Sequence, residues 1–167
     1  MRRQKGFSLI ELLIVVAIIL IIAAIAIPNL QRAKIAANEA SAVSSMRTIF
    51  TAEAAYYAQG WSNPGALGYS GRLQDLGSGA GCTPPSITSS CQMDDLLANA
   101  VDPPHAKSGY YFTYTPINNG ALNIDFHVNG DPVQRSVTGN RSFYTDQTGV
   151  VRFNTSASAV SADAPIQ

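Results

Sequence analysis

At 167 residues the chain has room for one membrane-length segment and one modest globular domain. Eleven basic residues balance 11 acidic ones, which excludes the strong positive field of a protein that coats nucleic acid. The charges are unevenly placed: Arg2, Arg3 and Lys5 precede an apolar run, and removing those three leaves eight basic groups against 11 acidic.

The first predicted element is a helix over Phe7 to Ile27, 21 residues with a single charge, Glu11. At about 1.5 Å per residue it measures roughly 31 Å, the thickness of a bilayer's hydrocarbon core. The basic cluster ahead of it belongs on the cytoplasmic side, and the bulk of the chain outside. A carboxylate in hydrocarbon costs roughly 2.5–3.5 kcal/mol, so Glu11 asks for a reason. One reading is a secretory signal peptide: Arg2, Arg3 and Lys5 form its charged start, Leu12–Ile22 its apolar core, and Ala24-Ile25-Ala26 its cleavage site. The product would be a soluble secreted binding domain; with no cleavage it would be a permanently anchored single-pass protein. The secretory reading gives Gly6-Phe7 and Glu11 no role, and in an ordinary anchor Glu11 would simply snorkel to the interface.

The stretch KGFSLIELLIVVAIILIIAAIAIP, Lys5 to Pro28, resembles the N-terminus of type IV prepilins and type II secretion pseudopilins. The resemblance implies a leader over residues 1–6, cut behind Gly6 by a prepilin peptidase/methyltransferase that also N-methylates Phe7. Residues 7–28 become the transmembrane and assembly helix, with Glu11 as the assembly acid and Pro28 as a helix kink. The partners implied are that peptidase, other copies of the chain in a helical filament, and an inner-membrane assembly platform. The subunit starts as a single-pass inner-membrane protein with a cytoplasmic N-terminus, then enters an extracellular pilus or a periplasmic pseudopilus. The physics agrees. After the cut, the Phe7 amine and the Glu11 carboxylate lie four residues apart, about 6 Å along a helix. An acid is best tolerated in the first helical turn. Pairing Glu11 with a neighbour's amine would offset the burial of both charges and set the axial register between subunits.

Residues 29–59 continue the helix. Leu30, Ala33, Ala37, Ala40, Val43, Met46/Arg47, Phe50, Ala54 and Tyr57 recur at helical spacing and predict the face that meets a globular domain. Gly60 is a natural stop. One helix from Phe7 to Ala58 would be about 78 Å long, more than a bilayer needs.

Residues 60–108 read as an irregular connection rich in Gly, Pro and Ser, with one helical piece at Met93–Ala100. Cys82 and Cys91 bound the loop CTPPSITSSC; the spacing is not CxxC, and no other Cys exists for a thiolate metal site. In an oxidising compartment the pair closes as a disulfide; in a reducing cytosol it stays as two thiols. GSGAG (Gly77–Gly81) lacks the preceding strand and following Lys-Ser/Thr of a phosphate loop, and reads as a flexible turn.

Residues 109–154 turn to period two. Tyr110, Phe112 and Tyr114 alternate, as do Leu122, Ile124, Phe126 and Val128, with an Asn-Asn-Gly turn between them. SFYTD and VVRF form a second pair through Gln147-Thr148-Gly149. The fold class is therefore α+β: a long N-terminal helix packed on a small antiparallel sheet of about four strands, the pilin-like arrangement. Residues 155–167, rich in Ser and Ala, read as a flexible tail.

Little in the chain looks catalytic, and an enzyme is not expected. His105 follows two prolines in a loop, and His127 shares the polar face of a strand with Asp125. No cofactor is expected beyond a weak case for calcium on Asp125, Asp131 and Asp146, which lack the tight spacing of a calcium loop. The case leans on the resemblance, because major pseudopilins bind calcium in this region. Phe7, Phe50, Tyr56 and Tyr57 raise the idea of a conduction path along a filament, but Phe50 and Tyr56 read as packing between helix and sheet. Arg135, Arg141 and Arg152 are scattered, so no nucleic-acid partner is expected. The function expected is a structural subunit of a type IV pilus-like filament; the alternative within the resemblance is the major pseudopilin of a type II secretion system.

Overall fold

The computed structural model describes residues 6–60, 67–79 and 81–166. The basic residues Arg2, Arg3 and Lys5, the loop start at Trp61, and Gln167 lie outside them. In chain order the elements are α1 (Leu9–Gln59), a 3₁₀ turn (Leu73–Leu76), α2 (Asp95–Ala98), a second 3₁₀ turn (Pro103–His105), β1 (Tyr110–Asn119), β2 (Leu122–Pro132), β3 (Ser142–Asp146) and β4 (Arg152–Asn154). The chain divides into two units, 1–34 and 35–167.

In the first unit the described residues are all exposed apart from half-buried Ala23. The helix starts at Leu9, two residues later than the apolar run suggested, because Ser8 takes the capping position. It passes through Pro28, whose missing N–H leaves the Ala24 carbonyl without its usual helical donor.

In the second unit, the residues of α1 from 35 onward share one core with the sheet. Ala42, Met46, Ile49, Ala52 and Tyr56 of the helix meet Tyr110, Phe112, Phe126, Val128 and Phe143 of the strands. Leu73, Leu76, Leu97 and Ala100 close the core from the connecting segment. Of the predicted face, Met46 is buried and Val43 and Phe50 pack against the core, but Ala37, Ala40 and Ala54 are exposed. The buried line is Glu39, Ala42, Met46, Ile49, Glu53 and Tyr56, one residue back, a rotation of about 100°. The shift follows from two glutamates that composition assigns to solvent. Gly60 ends α1 with φ +67°, a left-handed position that suits glycine, and its N–H donates to the Tyr57 carbonyl at 3.1 Å.

The sheet is an antiparallel meander in the order β1-β2-β3-β4. The predicted alternation holds for Tyr110, Phe112, Phe126 and Val128 but fails at Ile124, which is 52% exposed. The β1–β2 register shifts between Ile117 and Asn118, so Ile124 is the extra residue of a bulge and leaves the inner face. The turn after β3 brings Gly149 (φ +72°) against Phe50, where a Cβ would sit 2.8 Å from the ring.

The predicted helix at Met93–Ala100 shrinks to Asp95–Ala98. Met93 N–H is drawn to the Leu76 carbonyl instead, and the Asp94 side chain caps the turn by accepting from Leu97 N–H. Cys82 and Cys91 form a disulfide. Ala80, inside the GSGAG turn, is not among the described residues.

The tail is not frayed. Phe153 N–H donates to the Ala164 carbonyl and Ile166 N–H to the Val151 carbonyl, so residues 164–166 run along the free edge of β4. Ala159 is fully buried, and Asn129 Nδ2 donates to its carbonyl at 2.6 Å. Backbone pairing fastens a segment whose composition carries no packing signal.

Candidate processing and assembly segment

Local chemistry sets the start of α1. Glu11 Oε2 accepts the Ser8 backbone N–H at 2.9 Å, and Leu12 N–H donates to the Ser8 carbonyl at 3.3 Å. Ser8-Leu9-Ile10-Glu11 is the S-x-x-E spacing of a capping box, in which the N3 acid reaches back to the N-cap amide. The carboxylate thus also meets the positive end of the helix. Apolar periodicity gives Glu11 no partner within its own chain; the Ser-x-x-Glu spacing is the sequence signal that supplies one.

Just before this cap the backbone is open. Phe7 is 79% exposed, and a Cβ on Gly6 would meet nothing within 4 Å. The Gly6–Phe7 bond therefore lies in an exposed stretch outside the helix, next to its cap. Beyond it Leu9, Leu12, Leu13, Val16, Ala17 and Leu20 form an exposed apolar stripe on one helix face. Exposed apolar side chains continue through Leu30. By length and composition this part of α1 is able to cross a membrane.

The second unit holds two buried acids that sequence reasoning missed. Glu39, 6% exposed, accepts from Asn140 N (2.8 Å) and Arg141 N (3.1 Å) and pairs with Arg141 Nε (2.8 Å). Glu53, fully buried, accepts from the Ser70 backbone N–H at 3.0 Å and from the Ser70 hydroxyl. Burial pushes the Glu53 carboxyl above its ordinary value of 4.5, against the opposing pull of the Ser70 and Tyr114 hydrogen bonds. Burial likewise raises Tyr56 to about 12 and raises Tyr110 and Tyr114 further.

The remaining candidates are dispersed. Asp131 sits six residues from Asp125 along β2, about 20 Å away, too far to share one ion. Asp125 accepts from Phe126 N–H, Asp131 from the Ser158 hydroxyl, and Asp146 from Thr148. Among the described residues, no three His, Cys, Asp or Glu side chains assemble as a metal site. His127 pairs in register with Asp146 and stacks on Tyr144. His105 Nδ1 lies 2.6 Å from Asp102, and that hydrogen bond holds the exposed Asp102 below its usual range.

Residues 1–27 match the family described as the prokaryotic N-terminal methylation motif. The chain carries a prepilin-type N-terminus. It is 42% identical over 57 residues to the type IV major pilin protein PilA of Myxococcus xanthus, covering 34% of this chain and 26% of that protein. It is 64% identical over 39 residues to the type IV wide pilus major component PilA4 of Thermus thermophilus, covering 23% of this chain and 30% of that protein. A fimbrial protein of Pseudomonas aeruginosa is 54% identical over 52 residues, covering 31% of this chain and 34% of that protein. The chain thus spans about a quarter to a third of the length of these curated relatives. No solved structure matches it. In this prepilin-type N-terminus, the matched motif coincides with the capped, exposed apolar helix.

Proposed function

We propose that the chain is a structural subunit of a type IV pilus-like filament, made as a single-pass inner-membrane precursor. The observation that carries this reading is a methylation motif on a helix whose apolar side chains have no cover of their own. Such a surface is stable in lipid or against identical helices, and a head-to-tail contact that does not close extends into a fibre. A prepilin peptidase cuts the accessible Gly6–Phe7 bond and methylates Phe7. The apolar helices then leave the bilayer for the filament core through an inner-membrane assembly platform.

Glu11 spends the membrane stage hydrogen bonded to Ser8. On assembly the same carboxylate meets the methylated amine of a neighbouring Phe7, which matches subunit heights. Pro28 supplies the bend or loosening that lets the helix fit the packed core. The pilins named among the relatives favour a pilus over a secretion pseudopilus, and the role is structural, not catalytic.

The intact mass of the mature chain tests this reading. Methylated Phe7 as first residue is the expected result; Ile27 or Met1 as first residue overturns it in favour of a secreted or a permanently anchored protein.

A further inference from the structure

The outer face of the sheet carries a groove that the filament role leaves unused. Its volume is about 600 Å³, within the range of small-molecule sites. Thr113, Asn129 and Tyr144 stand in register across β1, β2 and β3 and form one cross-sheet row. His127 stacks on Tyr144 with ring centroids 5.8 Å apart and planes 23° from parallel, which makes a two-ring platform. The opposite wall is residues 158–161, held by two side chains of β2: Asn129 Nδ2 on the Ala159 carbonyl (2.6 Å) and Asp131 on the Ser158 hydroxyl (2.9 Å).

From this arrangement we propose that the groove binds a neutral saccharide. The weakly polar C–H face of a sugar ring packs on an aromatic platform, and its hydroxyls donate to acceptors. Asp131 uses one oxygen toward Ser158 and the Asn129 amide donates to Ala159, so a carboxylate oxygen and an amide oxygen remain as acceptors. A hydroxyl bonded to an ionised carboxylate makes one of the stronger hydrogen bonds. Anionic ligands are disfavoured. Asp131 lines the groove, and Asp146 lies opposite His127 across the β2–β3 pair. Arg152, one strand over, pairs with Tyr144 across β3–β4 and donates from Nη1 to the Asp163 carbonyl at 2.9 Å. The docked tail is therefore part of a site, not only an edge cover.

The test uses the full chain in a polyoxyethylene detergent, because glycoside detergents would compete. Lactose, N,N′-diacetylchitobiose and glucuronic acid serve as probes in saturation-transfer NMR and titration. Millimolar binding of a neutral disaccharide, with glucuronic acid at least about tenfold weaker, is the expected result. Tyr144→Ala should weaken binding about tenfold, and Tyr144→Phe should retain it, because the platform needs the ring and not the hydroxyl. If Tyr144→Ala fails to fold, Asp131→Asn decides: about a threefold or greater loss supports the site. The proposal is overturned by no neutral binding at tens of millimolar, by preference for glucuronic acid, or by binding unchanged in Asp131→Asn and Tyr144→Ala.

Discussion

Replacing Glu39 with alanine tests whether a buried acid fastens the helix to the sheet. Glu39 accepts two backbone N–H groups, of Asn140 and Arg141, and pairs with the Arg141 guanidinium. Removing the carboxylate orphans both amides, each at about 1–3 kcal/mol when water cannot replace the acceptor. The ion pair adds less, because the Arg141 side chain is 38% exposed and its charge stays partly hydrated; about 1 kcal/mol is appropriate. With partial access of water to the amides, the total is about 3 kcal/mol, a large share of the roughly 5–15 kcal/mol of a typical domain. Urea unfolding of the full chain in micelles, followed by near-ultraviolet circular dichroism, measures it. Glu39→Gln keeps one carbonyl acceptor and should lose about half as much. A double-mutant cycle with Arg141→Ala separates the ion pair from the amides. A loss below about 1 kcal/mol for Glu39→Ala, or equal losses for Ala and Gln, would refute the assignment.

Glu53 governs a pH dependence of defined sign. Its carboxyl is raised above 4.5 in the folded state, so the native protein holds this proton longer than the unfolded chain does. Stability from this group is complete below pH 4.5 and falls as pH rises through the raised native value. Glu53→Gln should flatten that slope relative to the parent in parallel denaturation series; parallel curves for the two proteins would exclude the effect. Glu11→Ala removes the acceptor of Ser8 N–H and should loosen the first turn by about 1 kcal/mol. It should leave the subunit folded and anchored, with filament yield by sedimentation cut severely; normal yield would deny Glu11 its assembly role. Gly6→Leu places a bulky side chain at the accessible bond, and the precursor mass should persist; a mature mass unchanged from the parent would count against recognition of Gly6.

Local periodicity makes much of the molecule legible in its residues alone. The apolar run at Phe7–Ile27, the stop at Gly60, the alternation in GYYFTYTP and the turn residues between strands all act within a few positions of one another. Where several residues agree, four strands and one long helix follow. What stays hidden depends on partners far along the chain. Glu39 is buried because Asn140 and Arg141 lie 101 and 102 residues away, and Glu53 because Ser70 closes over it. With both counted as solvent residues, the helix face comes out one position off. Ile124 obeys the alternation on paper, but a bulge that depends on both strands turns it outward. The Ser/Ala-rich tail docks mainly through backbone groups, which every sequence possesses, so its composition holds no clue.

The sequence by itself determined the N-terminal helix, because the Gly-Phe pair, the Ser-x-x-Glu spacing and the apolar run are all written within neighbouring residues. Tertiary structure alone decided which helix face enters the core, where the two buried acids find their donors, and that the docked tail walls one side of an open groove on the sheet. Those outcomes rest on pairings between distant segments, and one-dimensional spacing does not encode them.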